Sequence, residues 1–278
     1  MICKTEEWIF LNRTKKQVTS YGDFYNRWTR LRWAFRYDVR YRCRRIMDIA
    51  DDLNMNLENK RVLDVGFGTG HMLRQFPKSC ALNGAEISSS AVENARCDRK
   101  YSAWKSSHFS LIQENAEDDL PRGPFDIVIS SHTLEHVPDD REHLRGIYER
   151  LVPGGLLLLF VPIEEPNYNP DHLRNYSLDS VTSMVRDELF EIQHSEGSMH
   201  VTGHIWKLIT IPSRRRTPVL KPLIDGFRLV TLSAIPYPLQ LLLDRGLEAL
   251  GVGPRQAFIV ARKPPKGGHG ELGKFCMG

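Results

Sequence analysis

The segment 61–77, RVLDVGFGTGHMLRQFP, constrains the fold more than any other stretch of the 278 residues. Val62, Leu63 and Val65 predict a buried strand. The glycines at 66, 68 and 70 predict a tight turn that an apolar helix follows. Such a turn lets the main chain approach a ligand closely and directs helix N–H groups at it. The segment therefore predicts an α/β fold that binds a nucleotide-like ligand here.

The spacing of the glycines argues against a redox dinucleotide. In the fingerprint G-x-G-x-x-G the third glycine would stand at His71, whereas here Asp64 stands two residues before Gly66. A carboxylate at that place would repel a pyrophosphate but would pair with an ammonium group. S-adenosylmethionine carries an ammonium and a sulfonium group and no phosphate, so it suits the site.

A second acidic residue extends the pattern. The segment ALNGAEI predicts a second strand that ends near Glu86, where an acid accepts hydrogen bonds from a ribose diol. With these residues the chain resembles the class I S-adenosylmethionine-dependent methyltransferases over roughly 60–162. The resemblance implies S-adenosyl-L-methionine as cofactor, held by these residues: Asp64, Gly66, Phe67, Gly68, Gly70, Glu86, Ile87, Asn115, Ala116 and Ser131.

The adenine position is the least certain part of this pattern. A third strand is predicted at 109–115, and in similar enzymes the residue after this strand, often Asp, bonds the adenine amino group. Asn115 occupies that position here, and Ala116 follows it. Glu117 or Asp118 would replace Asn115 in a shifted register, and an ordinary polar turn before Pro121 is the alternative.

The middle of the chain provides a second resemblance. Residues 125–133 predict a strand buried on both faces, and Asp139 begins a helix that ends before a Pro-Gly-Gly sequence and a fifth strand at 156–162. This order, with the loop SSHTLEHVPDD, resembles the small-molecule branch of the family, including the ubiquinone/menaquinone-biosynthesis methyltransferases. It implies a Rossmann-like, seven-stranded, doubly wound α/β sheet of order 3-2-1-4-5-7-6, with an N-terminal helical lid and an insert before the last strand.

The same loop supplies the candidate catalytic residues His132 and His136. Displacement at a sulfonium has a good leaving group, so the protein mainly aligns the nucleophile and removes a proton, for which histidine is suited. Either histidine would alternatively only brace the loop. The related quinone methyltransferases bind a divalent metal with E-x-x-E-H, so His132, Glu135 and His136 are an alternative metal site, although we expect none.

The N-terminal residues 1–50 are predicted to form the lid, ahead of a methyltransferase domain at 51–265. A stripe of arginines follows the helical spacing of this region: Arg32, Arg36, Arg40 and Arg44. The stripe would meet an anionic substrate group or an anionic membrane surface, or would be an ordinary solvated face. By resemblance, four residues would line the substrate pocket: Tyr21, Tyr25, His172 and Tyr176.

The C-terminal third contains two further predicted strands, at 189–201 and 256–264, with an insert at about 203–255 between them. After Pro238 the insert has leucines at helical spacing, which would cover an apolar substrate, pack on the core or a second subunit, or lie in a membrane interface. The glycine-rich tail at 266–278 is predicted to be disordered.

Composition excludes little but sets the compartment. The net charge of +4 is too mild to indicate nucleic acid, and no apolar run is long enough to span a membrane. The five cysteines are scattered, without metal-ligand spacing, and no secretory signal is visible, so we expect a cytoplasmic protein with reduced thiols.

The sequence therefore predicts an S-adenosylmethionine-dependent methyltransferase that acts on a small-molecule or lipid-like metabolite, anionic in one interpretation. The acceptor atom is expected to be oxygen, with nitrogen or carbon as alternatives. A nucleic-acid methyltransferase is disfavoured, because no N/D-P-P-Y/F motif follows the fourth strand. A non-methylating protein of the same fold, such as a cyclase or a silent partner, stays open, as does a homo-oligomer.

Overall fold

The computed structural model describes residues 36–112, 120–163, 172–200 and 235–265. These residues form a seven-stranded sheet of order β3-β2-β1-β4-β5-β7-β6. Its strands are β1 (Arg61–Val65), β2 (Ala81–Glu86), β3 (Ser106–Leu111), β4 (Phe125–Ser131), β5 (Leu151–Pro162), β6 (Glu191–Ser198) and β7 (Gln256–Arg262). The first five pair in parallel, and β7 runs antiparallel between β5 and β6. The predicted fold class and strand order are confirmed.

Five α-helices accompany this sheet in the described residues. They are α1 (Tyr37–Asp52), α2 (Ser89–Cys97), α3 (Asp140–Arg150), α4 (Leu178–Asp187) and α5 (Tyr237–Ala249). Side-chain caps begin three of them, since Ser88, Asp139 and Ser177 each accept a hydrogen bond from a backbone N–H three residues on. These caps fix where each crossover helix starts after its strand or loop.

Several predicted elements differ from the structure. Strand β5 begins at Leu151 rather than at 156, and β6 spans Glu191–Ser198 rather than 189–201. The third strand spans Ser106–Leu111 rather than 109–115, because its partner β2 pairs with it from Ala81 to Glu86 and then ends. The segment after the glycine turn is a short 3-10 helix, Leu73–Gln75, rather than an α-helix. Pro77 disfavours helical geometry in the residue before it and so helps to end this segment after one turn.

The alternation of β4 explains how the sheet is covered on both faces. Ile127 and Ile129 belong to one buried cluster, which also contains residues of α1 and α2. Val128 belongs to a second cluster with residues of α3 and α4. Buried layers on both faces are what a doubly wound parallel sheet requires, and they leave the carboxyl ends of the strands as the place for a ligand.

The predicted domain limits stay predictions. Helix α1 continues to Asp52, past the predicted lid boundary at residue 50, and Ile46 and Ile49 are fully buried in the core, so α1 is firmly attached there. Helix α5 lies in the predicted insert at 203–255, and most of the predicted lid and the whole tail at 266–278 lie outside the described residues. No helix in the described part of the chain is both long and apolar enough to cross a membrane.

Candidate active site

The glycine turn after β1 has the backbone that its sequence predicts. Gly66, Gly68 and Gly70 have φ values of +75°, +52° and +68°, in the left-handed region that side chains disfavour. A Cβ atom at Gly66 would lie 2.2 Å from Thr133 Oγ1, which itself donates a hydrogen bond to Val65 O. The turn therefore packs directly against the loop after β4, with no room for a side chain between them.

Asp64 lies at the centre of the sheet and is only 1 % exposed. Neither of its carboxylate oxygens has a hydrogen-bond partner among the described residues. Burial, followed by the nearby charge of Glu86, raises the pKa of Asp64 well above its usual range, and Arg42 only partly opposes this. A buried carboxylate in this condition lacks a cationic partner, which is the group that an amino acid ammonium would supply.

Arg42 of α1 is a buried cation whose charge acts on Asp64. The sequence analysis did not identify it as a site residue. It is 6 % exposed, and its Nε has no hydrogen-bond partner in the part of the chain that the structure describes. Its Nη2 lies 3.5 Å from Asp38 Oδ2, a carboxylate whose two oxygens also accept bonds from Arg36 at 2.8 and 2.9 Å. Burial would raise the pKa of Asp38, but these two guanidinium groups lower it far more.

Glu86 ends β2 and binds the glycine turn. Its Oε2 accepts a hydrogen bond from Gly68 N at 2.8 Å, and its Oε1 accepts bonds from Ile87 N at 2.9 Å and Ser88 N at 3.2 Å. Burial nevertheless raises the pKa of Glu86, because it outweighs these three bonds. A carboxylate has about four acceptor sites and these bonds use three of them, so Oε2 of Glu86 retains one for a ribose hydroxyl.

Phe67, a predicted cofactor-binding residue of the glycine turn, packs into the hydrophobic core. Phe67 is buried, and its ring lies 5.3 Å from that of Phe109. A Cβ atom at Gly84 would lie 2.6 Å from Phe67, so a glycine of β2 makes room for this ring. The predicted adenine residues Asn115 and Ala116 lie outside the described residues.

The carboxyl end of β4 carries the first candidate catalytic histidine. His132 has a φ of +56°, a left-handed conformation that is uncommon for a residue with a side chain. Its Nε2 lies 3.1 Å from Oε1 of Gln256, the first residue of β7, and Nε2 of Gln256 donates to Ser198 Oγ at 3.1 Å. Ser131, just before it, is half-buried at the end of the strand. The structure thus adds Gln256 to the site.

Glu135 joins the two predicted histidines. It is fully buried, and its Oε1 lies 3.4 Å from His132 Nδ1 and 3.9 Å from His136 Nε2. Burial would raise the pKa of Glu135, but the contact with His132 and then the neighbouring His136 lower it. The carboxylate is therefore held in its charged form, where it would stabilise a proton on either imidazole ring.

His172 is brought to the same place by the loop that precedes α4. Its ring meets that of His136 edge to face, with centroids 4.9 Å apart. Leu173 N donates a hydrogen bond of 2.8 Å to Glu135 O, so a backbone hydrogen bond joins the loop before α4 to the loop after β4. Ligand atoms of Glu135, His136 and His172 all lie within 4.8 Å of one another. Within the described ranges, this group fits a cation better than the predicted combination of His132 with Glu135 and His136.

Tyr176, the other predicted pocket residue of this loop, has a bracing position. It is buried, and its hydroxyl donates to Asp140 Oδ2 at 2.9 Å and lies 3.4 Å from Leu134 O. These contacts attach its loop to Leu134, in the loop after β4, and to the start of α3. Tyr21 and Tyr25 lie outside the described residues, so the predicted substrate contacts of all three tyrosines remain predictions.

The family model and the relatives that match this chain agree on one protein family. The model of a family described as "Methyltransferase domain" matches residues 34–204. The ubiquinone/menaquinone biosynthesis C-methyltransferase of Vibrio vulnificus is 32% identical over 116 residues, 40% of this chain and 44% of that protein. The ubiquinone biosynthesis O-methyltransferase of Pseudomonas aeruginosa is 28% identical over 109 residues, 39% and 47% of the two chains. The chain thus spans less than half the length of these relatives.

Solved structures agree on the fold. The [4+2]-cyclase SpnF superposes with a TM-score of 0.54 and 21% identity over 80% of each chain. Phosphoethanolamine N-methyltransferase 2 of Haemonchus contortus, in complex with phosphomonomethylethanolamine and S-adenosylhomocysteine, superposes with a TM-score of 0.50 and 18% identity over 79% of this chain and 52% of that one. At these identities the likeness concerns the fold alone.

Proposed function

Since the chain belongs to the methyltransferase-domain family of class I S-adenosylmethionine-dependent enzymes, we propose that it methylates a small-molecule or lipid-like acceptor. The observation that carries the proposal is a pair of opposite, buried charges: Asp64, just before the glycine turn, and Arg42 of α1, whose charge lowers the pKa of Asp64. Asp64 and Arg42 each retain polar atoms without a partner among the described residues. A zwitterionic amino acid group supplies both missing partners, an ammonium for Asp64 and a carboxylate for Arg42. A phosphate supplies no cation for Asp64.

These residues fit S-adenosylmethionine as follows. Asp64 would hold the ammonium group, Arg42 the carboxylate, and Glu86 a ribose hydroxyl, while the glycines give the backbone room to approach. When bound, the cofactor supplies an electrophilic methyl group on a sulfonium. Phe67 would provide an apolar surface beside the nucleoside, and the predicted roles of Asn115 and Ala116 at the adenine complete the proposal.

The protein's own part in the reaction is alignment and proton removal. A hydroxyl acceptor must lose its proton, and His136 and His132 are the groups at the carboxyl edge of β4 that would accept it. Glu135, held charged between them, would stabilise the imidazolium that results, as a carboxylate does for histidine in other acid–base pairs. Oxygen is the acceptor atom that this arrangement suits best; a nitrogen or carbon nucleophile is the alternative.

The acceptor class rests on the relatives. Both curated relatives are named for ubiquinone biosynthesis, one as a C- and one as an O-methyltransferase, and we carry over from them a small, lipid-like acceptor. We keep an anionic group on the acceptor as part of the proposal, because α1 presents exposed Arg40 and Arg44. Nucleic acid is not part of it.

Two measurements test the proposal in sequence. Calorimetry should detect binding of S-adenosylmethionine and S-adenosylhomocysteine, and absence of both would refute the cofactor assignment. Incubation with candidate quinone precursors should then release S-adenosylhomocysteine. Binding without release with any acceptor would instead favour a non-methylating protein on this fold, the class to which the superposed cyclase belongs. Release stimulated by RNA or DNA would refute the small-molecule assignment.

A further inference from the structure

Asp38 is the carboxylate that lies beside Arg42 on α1. The two residues are four positions apart, so they share one face of the helix. Asp38 Oδ2 lies 3.5 Å from Arg42 Nη2, and this is the one hydrogen bond of the Arg42 guanidinium within the described ranges. Burial lowers the pKa of Arg42, and Asp38 is the largest of the nearby charges that oppose this shift. Asp38 is therefore the main partner of Arg42 in the described part of the chain.

Arg36 fixes the orientation of the Asp38 carboxylate. Its Nε donates to Asp38 Oδ1 at 2.9 Å and its Nη2 donates to Asp38 Oδ2 at 2.8 Å, a two-point bond that aligns the two planar groups. Burial would raise the pKa of Asp38, but the charges of Arg36 and then Arg42 lower it, so Asp38 stays ionised. Because Arg36 already neutralises this charge, a ligand carboxylate at Arg42 would meet little repulsion from Asp38.

The guanidinium of Arg42 keeps most of its donors for another anion. Arginine has five N–H donors in one plane, and Nε of Arg42 is buried without a partner among the described residues. Burial and then Glu86 raise the pKa of Asp64, and Arg42 lowers it, so Arg42 lies near the proposed place of the amino acid group of the cofactor. A planar guanidinium binds a carboxylate at two points only when the two planes are aligned, so the contact that fixes this plane governs the binding.

We propose that Asp38 is a positioning residue for S-adenosylmethionine, which orients the guanidinium of Arg42 toward the carboxylate of the cofactor. The inference rests on the proposed function, because it requires Arg42 to bind that carboxylate. The alternative is that Asp38 only stabilises the first turn of α1, where an acid is favourable, and competes with the cofactor for Arg42. The two roles predict opposite results, because removal of a competitor strengthens ligand binding and removal of an orienting group weakens it.

Calorimetry with two ligands tests the inference without a methyl acceptor. The ligands are S-adenosylhomocysteine and its decarboxylated form, which keeps the amine and lacks the carboxylate. The wild type should bind S-adenosylhomocysteine roughly tenfold or more tightly than the decarboxylated form, because the second ligand loses a hydrogen bond between charged groups. In Asp38→Asn this ratio should fall to roughly two or less, because one amide oxygen cannot serve two guanidinium groups. The affinity for the decarboxylated form should not change.

Three further variants complete the test. Arg42→Gln should lower the ratio to about one, and Asp38→Asn added to it should change neither affinity, because both residues act through one contact. Arg36→Gln removes the bond that orients Asp38 and should also lower the ratio, which provides a second test if Asp38→Asn does not fold. Asp52→Asn is the matched control, because it removes the same charge at the exposed end of α1, and it should leave the ratio unchanged. Thermal unfolding establishes that each variant is folded.

Three results would overturn the inference. The first is a ratio in Asp38→Asn that equals or exceeds that of the wild type, and the second is equal weakening of both ligands, which is the result of a purely structural role. The third is the same fall of the ratio in Asp52→Asn. A wild type that binds neither S-adenosylmethionine nor S-adenosylhomocysteine would instead refute the proposed function, so the two failures are distinguishable.

Discussion

The substitution Asp64→Asn separates ligand binding from stability, because it should change the two in opposite directions. It keeps the size of the side chain and removes its charge. A hydrogen bond to a charged group contributes about 1.5–3 kcal/mol, and about 1.4 kcal/mol corresponds to a tenfold change in affinity. We therefore expect the dissociation constants of S-adenosylmethionine and S-adenosylhomocysteine to rise roughly 10- to 150-fold.

The ligand-free variant should be more stable than the wild type. The carboxylate of Asp64 is buried without a partner among the described residues, so its charge destabilises the folded state. An amide at this place also loses hydration, so we expect a net gain of about 1 kcal/mol at neutral pH, roughly 2–4 °C in melting temperature.

The pH dependence has a defined sign. The folded-state pKa of Asp64 is raised, so the unfolded chain ionises first, from its ordinary value of 3.8. The wild type should then lose stability as pH rises from about 4 through the folded-state pKa, and Asp64→Asn should not lose this part. The difference between the two proteins should therefore be near zero at acid pH and grow toward neutrality.

Calorimetry and thermal unfolding without ligand check both effects. Asp126→Asn is the matched control, because Asp126 lies at the opposite end of β4, half-buried, and accepts a hydrogen bond from Arg61 N. It should leave cofactor affinity unchanged. Unchanged affinity in Asp64→Asn, or a variant less stable than the wild type at pH 7, would refute the reasoning.

Three further predictions concern the turn, the attachment of α1 and the histidines. Gly70→Ala should cost about 1–3 kcal/mol of stability in urea unfolding and weaken cofactor binding, because the φ of Gly70 is +68°. The control Gly246→Ala, in an open helical position, should stabilise the protein by up to about 1 kcal/mol. Glu196→Gln should cost about 2–4 kcal/mol of stability, because it breaks a largely buried ion pair with Arg45 at 2.6 Å. Burial alone would raise the pKa of Glu196, but Arg45 lowers it. The wild type should therefore lose this stability as pH falls below about 4.5, and the variant should not. Methyl transfer should persist in excess chelator and should fall roughly 100-fold or more in His136→Gln, the size expected for a lost general base. Loss of activity on chelation that one divalent ion restores would instead assign a cation site at His136.

The sequence predicted those parts of the site that depend on short-range patterns. Asp64, the glycines and Glu86 lie within one strand-turn-helix-strand unit, where each residue's place follows from the unit's own geometry. The strand order followed from the family resemblance and was confirmed. The third strand was placed three residues too late, since apolar character alone does not show where its partner β2 begins.

Residues contributed from distant parts of the chain could not be found in this way. Gln256 is 124 positions from His132 in sequence, and it contacts His132 only because β7 inserts antiparallel beside β5. Arg42 lies in an arginine-rich segment, and the sequence analysis considered only the stripe of arginines four residues apart. The structure places Arg42 on the buried side of the same helix. The number and spacing of arginines in the sequence do not show which face of α1 is buried, and the exposure of each side chain in the structure does.

The charge balance at the carboxyl edge gives an independent reason to prefer a cationic ligand over a dinucleotide. Among the described residues, four buried or half-buried carboxylates (Asp38, Asp64, Glu86 and Glu135) face two guanidinium groups, those of Arg36 and Arg42. The carboxylates are in excess by two, and buried like charges repel strongly in a medium of low polarity. S-adenosylmethionine carries a net positive charge and would reduce this excess, whereas a dinucleotide would add two negative phosphates to it. Retention of NADH through purification, in preference to S-adenosylmethionine, would contradict this argument directly.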